Sequence, residues 1–244
     1  MREAGRGKKY KYLIFDADHT LLNYHADERA AFQKLYEEVG MPFTEELAAF
    51  SRRASEEEWT AAGMYDVHSE RIQKRYHALY REHVVDIFKR VFERYPCPKT
   101  DVTFSWAAEK FLKNLESVGR LMDGAETLIP LLSQKYALCI ATNGLSGIQR
   151  GRLADVAKYF QGVYISEEVG VIKPLPAFFV YILQDLHAKK EECLMIGDSL
   201  TSDMAGAKAA GIDCCWFSHR GQKNETGLVP DYEILSLFEL NEIL

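Results

Sequence analysis

No stretch of the 244-residue chain is apolar for long enough to span a bilayer, and no apolar segment follows the basic start in the manner of a signal peptide. A membrane partner is therefore not expected. There is no concentrated basic patch either. With 30 Lys and Arg against 36 Asp and Glu, the net charge is −6, which argues against a nucleic-acid polymer as partner. The basic residues Arg2, Arg6, Lys8 and Lys9 read as a solvated tail. Gly5 to Lys9 lacks the first glycine and the spacing of a phosphate loop. Cysteine is scarce: five residues, an odd number, with no CxxC pair. That excludes a fully paired disulfide framework and the usual zinc spacing. Cys139, Cys193 and Cys214 lie in apolar, strand-like runs, where a free thiol behaves as a small hydrophobe, and a reducing cytoplasm is the expected location.

What is present changes texture along the chain. Residues 10–15, Tyr-Lys-Tyr-Leu-Ile-Phe, read as a buried strand that ends at Asp16. Residues 24–118 are almost wholly helical in pattern, with Thr44 and Ser69 as candidate caps and Pro96 and Pro98 as a break before a helix near 103–117. Beyond 120 the pattern alternates. Helices are expected near 124–134, 147–158, 176–187 and 201–210, and strands near 136–141, 162–165, 193–197 and 213–217. Such alternation predicts a parallel sheet covered on both faces. The expected architecture is α/β: a Rossmann-like core from 1–23 and 119–244, with an all-helical cap inserted at 24–118.

In open α/β sheets, ligands bind beyond the carboxyl ends of the strands. The first such end is Asp16-Ala17-Asp18-His19-Thr20 and the second is Thr142-Asn143-Gly144. Lys173-Pro174 comes after the third, and Gly197-Asp198-Ser199-Leu200-Thr201-Ser202-Asp203 closes the fourth. Each motif alone has a plain explanation as a turn or a helix cap. Together they place four carboxylates, a lysine and a threonine hydroxyl at strand ends. Clustered carboxylates repel one another, and an oxygen-only ligand set suits Mg2+. The lysine and hydroxyl can then hold a phosphoryl group beside a nucleophilic carboxylate.

These four motifs, in this order, resemble the haloacid dehalogenase-like hydrolase superfamily. The likeness covers nearly the whole chain. It implies that Asp16 is the nucleophile, forming an aspartyl-phosphate, and that Asp18 is the acid and base. It assigns Mg2+ to Asp16, the backbone carbonyl of Asp18 and Asp198. Thr142, Asn143 and Lys173 are assigned to the phosphoryl oxygens, and Asp203 to orienting Lys173 or a metal-bound water. Asp18 also separates phosphatases of this type from the dehalogenases, which lack that acid.

A finer likeness is to the pyrimidine 5'-nucleotidase subgroup. It rests on Thr142-Asn143-Gly144 with Gln149 and Arg152-Leu153, on Ile165 to Val171, and on Gly211 to Trp216. The chain departs from the pattern at His19, at Leu175, and at Ser218-His219, where Asn-Pro is common. The substrate so implied is a small soluble phosphomonoester, a nucleoside 5'-monophosphate first, for a monomer or homodimer. Phosphoglycolate or a sugar phosphate is the alternative substrate. A phosphomutase and a non-catalytic regulatory protein are the alternative classes. In the cap, Trp59, Tyr65, Tyr76, Tyr80 and Trp106 read chiefly as core, and His68, His77 and His83 do not share a helical face suited to a metal.

Overall fold

The computed structural model describes residues 10–244, so the basic start at residues 2–9 lies outside the described residues. Six parallel strands form one sheet in the order β3-β2-β1-β4-β5-β6. They are β1 (Tyr12–Phe15), β2 (Ala137–Thr142), β3 (Phe160–Ile165), β4 (Cys193–Gly197), β5 (Asp213–Phe217) and β6 (Tyr232–Ile234). Leu13, Ile14 and Phe15 are fully buried, as are all five residues of β4. Unbroken apolar runs of this kind belong to a parallel sheet buried on both faces. The chain builds outward from β1 through β2 to β3, then crosses to β4 on the other side. The strand order therefore reverses between β1 and β4, and a ligand crevice opens at such a point, beyond the carboxyl ends.

The helices are α1 (Tyr24–Val39), α2 (Glu45–Ala61), α3 (Glu70–Arg94), α4 (Phe104–Glu116), α5 (Ala125–Leu132), α6 (Ser146–Arg152), α7 (Ser166–Val169), α8 (Pro176–Asp185) and α9 (Ala205–Ala210). Thr44 caps α2 as its sequence suggests, accepting from the Leu47 N–H, with Glu45 and Glu46 in the first turn. Ser69 holds the cap position of α3 but its side chain makes no cap bond. Gly40 ends α1 in the left-handed region, at φ 79°, where other residues are strained.

Two compact units result. One contains residues 10–22, Leu121–Asn143 and Val156–Leu244, and carries the whole sheet. Its core joins Ile14, Met195, Cys139 and Cys214 of the strands to Phe178, Phe179 and Ile182 of α8. The other contains Asn23–Arg120 and Gly144–Asp155, and is helical. The class is that expected: a Rossmann-like α/β core with an inserted helical cap.

The segment Gly144–Asp155, counted with the core on its alternating pattern, folds with the inserted helices instead. The cause is local. Arg152 is buried and donates from Nε and Nη2 to Oδ2 of buried Asp27 in α1, at 3.2 and 2.9 Å. Asp27 Oδ1 accepts from the Arg120 N–H at 2.9 Å. One carboxylate thus ties α1, α6 and the end of the insertion together. Helix α6 is also shorter than the 147–158 expected. At 200–204 the expected helix starts with one wide turn: the N–H groups of Asp203 and Met204 both donate to the Ser199 carbonyl, and the regular helix begins at Ala205. Strand β6 went unseen because three residues are too few to carry a pattern.

Candidate active site

Asp16 directly follows β1, and its N–H donates to the Ile196 carbonyl of β4 at 2.8 Å. That ladder bond fixes the carboxylate beside the end of β4, where Asp198 begins the next loop. Between Asp16 and Leu22 the chain turns tightly: the N–H groups of Leu21 and Leu22 both donate to the Ala17 carbonyl. His19, at the variable position of the motif, takes a left-handed φ of 64°, which histidine tolerates better than a β-branched residue does. Thr142 closes β2 and is buried.

Lys173 is the hub of the site. It is one of the largest fully buried side chains, and its ammonium has three donors, all used. Nζ donates to Asp16 Oδ1, to the Ala141 carbonyl and to Asp203 Oδ1, each at 2.6 Å. Asp203 is held in turn by the Ser199 N–H, which donates to its Oδ2 at 3.1 Å. Gly197 makes this possible. A Cβ there would stand 2.3 Å from Asp203 Oδ2, so only glycine lets the carboxylate tuck under the end of β4.

Among the described residues, Asp16, Asp198 and Asp203 each bring a carboxylate oxygen within 4.8 Å of the others. The Asp18 carboxylate is not in this group; the resemblance engages Asp18 through its carbonyl. Burial raises Asp16 well above the ordinary carboxylate range; Lys173 opposes this and Asp203 and Asp198 reinforce it. Asp198 is pushed up to about 7 by burial and by Asp203, with Arg220 and Lys173 opposing. Burial would lower Lys173, but Asp16 and Asp203 overrule it and the ammonium is held protonated. The carboxylates outnumber the one ammonium, and burial with mutual repulsion raises Asp16 and Asp198, so a positive charge arriving here is favoured. A divalent cation relieves that repulsion, and an all-oxygen ligand set suits Mg2+. The residues present fit it.

Two placements differ from the sequence reading or extend it. The resemblance assigns Asn143 as a donor to the phosphoryl oxygens. Its amide grips the backbone of Lys173, with one Nδ2 hydrogen donated to the Lys173 carbonyl at 2.9 Å and Oδ1 accepting the Lys173 N–H at 2.8 Å. The reason is complementarity: an amide satisfies one N–H and one C=O at once, and Lys173 offers both. The second concerns the end of β5, where the likeness names Trp216 without a role and does not name Arg220. There Trp216 Nε1 donates to the Asp198 carbonyl at 2.9 Å, and Arg220 Nη2 lies 3.8 Å from Asp198 Oδ2. Trp216 is next to last in β5 and Arg220 lies three residues beyond the strand, on the same carboxyl side as Asp16, Thr142 and Asp198.

A buried carboxylate, a lysine paired with it and a carboxylate cluster at the switch point of a parallel sheet define a hydrolase of the haloacid dehalogenase-like type. Residues 10–211 match the family model for haloacid dehalogenase-like hydrolases, and the chain belongs to that family. It is 34% identical over 239 residues to the pyrimidine 5'-nucleotidase PynA of Streptococcus pneumoniae, covering 96% of this chain and 95% of that one. It is 26% identical to the pyrimidine 5'-nucleotidase YjjG of Escherichia coli over 97% of this chain and 98% of the other. The magnesium-bound crystal structure of the HAD-hydrolase YfnB of Bacillus subtilis superposes with a TM-score of 0.82 at 32% identity, covering 97% of this chain and 99% of that one.

Proposed function

We propose that the protein is a Mg2+-dependent phosphatase that hydrolyses nucleoside 5'-monophosphates, pyrimidine ones first, through an aspartyl-phosphate on Asp16. The observation that carries the chemistry is the Lys173 ammonium, shared between Asp16 and Asp203 at 2.6 Å each. It orients the nucleophile and opposes the rise in its pKa that burial causes. The observation that carries the substrate is full-length likeness to PynA and YjjG.

Asp16 Oδ attacks phosphorus in line, forming the carboxyl–phosphate bond as the ester P–O bond breaks. Asp18 gives its proton to the departing nucleoside oxygen. It then takes a proton from the water that attacks the same phosphorus, releasing phosphate and regenerating Asp16. Lys173 and Thr142 stabilise the phosphoryl oxygens. Asn143 positions Lys173, and its second amide hydrogen is the donor offered to the phosphoryl oxygens. Asp16, the Asp18 carbonyl and Asp198 would hold Mg2+, with Asp203 behind them on Lys173. The cation, when bound, neutralises charge on the phosphoryl group. A cytoplasmic location belongs to this reading; no helix among the described residues is long and apolar enough to cross a membrane.

A panel of soluble phosphomonoesters assayed with Mg2+ tests the substrate. Fast release of phosphate from UMP and CMP supports it. Slow hydrolysis of every nucleotide beside fast hydrolysis of phosphoglycolate or a sugar phosphate overturns it.

A further inference from the structure

Arg220 has no part in the reaction above, yet its place is built rather than incidental. The Gly221 N–H donates to the Ser218 carbonyl at 2.8 Å, closing a turn that carries His219 and Arg220. The His219 ring stacks on Phe217, the last residue of β5, with centroids 4.6 Å apart. Arg220 Nε donates to His219 Nε2 at 3.2 Å. Burial, with Arg220 beside it, lowers the His219 pKa, so the ring stays neutral and able to accept. With Nε so anchored, Nη2 reaches 3.8 Å from Asp198 Oδ2. That is ion-pair range but too long for a hydrogen bond. The side chain is 37% exposed and can turn about its anchor.

We propose that Arg220 is an exchangeable counter-ion of the metal site, neutralising Asp198 before a divalent cation binds and then turning its Nη donors to an oxyanion of the phosphate. The proposal rests on the carboxylate cluster being the cation site. Two positive groups cannot both share Asp198 without repelling each other, so an arriving cation displaces the guanidinium. The displaced fork has parallel N–H donors, a geometry that matches two oxygens of one phosphate. The same residue thus weakens cation binding alone and strengthens anion binding afterwards.

Calorimetric titration of the full chain separates these effects without recourse to activity. Wild type, Arg220→Gln and Asp198→Asn are titrated with Mg2+ alone, then with inorganic phosphate at saturating Mg2+, after thermal melts establish that each is folded. Arg220→Gln should bind Mg2+ about threefold to fivefold more tightly than wild type, the factor expected for losing one exposed ion pair. Its phosphate affinity should fall about tenfold, as for one charge-assisted contact. Equal or weaker Mg2+ binding by Arg220→Gln, or unchanged phosphate binding, overturns the exchange. Wild-type Mg2+ affinity in Asp198→Asn would instead overturn the metal-site reading itself.

Discussion

Lys173 shows how much one side chain can hold together. Its ammonium is buried, and only three well-placed acceptors make that tolerable. Lys173→Met keeps the bulk and removes the charge, which leaves Asp16 and Asp203 facing each other without a cation. Breaking a buried pair from one side typically costs about 3–5 kcal/mol. The variant should melt well below wild type in scanning calorimetry and lose phosphatase activity. An unchanged melting temperature would mean that the ammonium is not the centre's counter-charge. The residue types of this centre were legible from sequence, because strand ends announce them. The grip of Asn143 on the Lys173 backbone was not: residue type and spacing do not say which backbone groups an amide meets.

At the scale of elements, the packing of α1 on α2 contains a buried carboxylate with no cation hydrogen-bonded to it among the described residues. Glu28 is 3% exposed and accepts from Ser55 Oγ at 2.6 Å. Burial lifts its pKa to about 7, opposed by Ser55 and Arg52 and aided by Glu56. A carboxyl raised on folding binds its proton more tightly in the folded state. The stability it contributes is complete below the unfolded value, near 4.3, and is lost as pH rises through about 7. Glu28→Gln keeps an acceptor for Ser55 and removes the titration. It should be more stable than wild type at pH 8, by roughly 3–4 kcal/mol, with no gain at pH 4. Melting curves across that range check it, and parallel pH profiles for the two proteins would contradict it. Long helices and their caps were legible here because 3.6-residue periodicity persists over many turns. The allegiance of α6 was not, because it depends on Arg152 meeting Asp27, 125 residues away.

For the whole molecule, the prediction concerns cation binding. The carboxylates must be ionised to hold Mg2+, and Asp198 sits near 7 in its absence. Saturating Mg2+ should raise the melting temperature at pH 8, at about 100 times Kd by the equivalent of ~2.7 kcal/mol. The gain should shrink at pH 6, where protons compete for Asp198. Differential scanning with Mg2+ against EDTA measures this. A gain independent of pH, or none, would contradict the charge argument. The sheet with its inserted helices could be read in advance because β1, β2 and β4 are strongly apolar runs and most site motifs lie at or just beyond strand ends. Strand β6 and Arg220 escaped because both lie in a polar stretch with no periodic signal.

The central claim is that Asp16 is the nucleophile. The most direct test is kcat of purified Asp16→Asn with Mg2+ and a good substrate, beside its circular dichroism spectrum. A neutral amide cannot form the phosphoryl bond, so kcat should fall at least about a thousandfold while the spectrum stays that of the wild type. Near-normal turnover by a correctly folded Asp16→Asn protein would contradict the account.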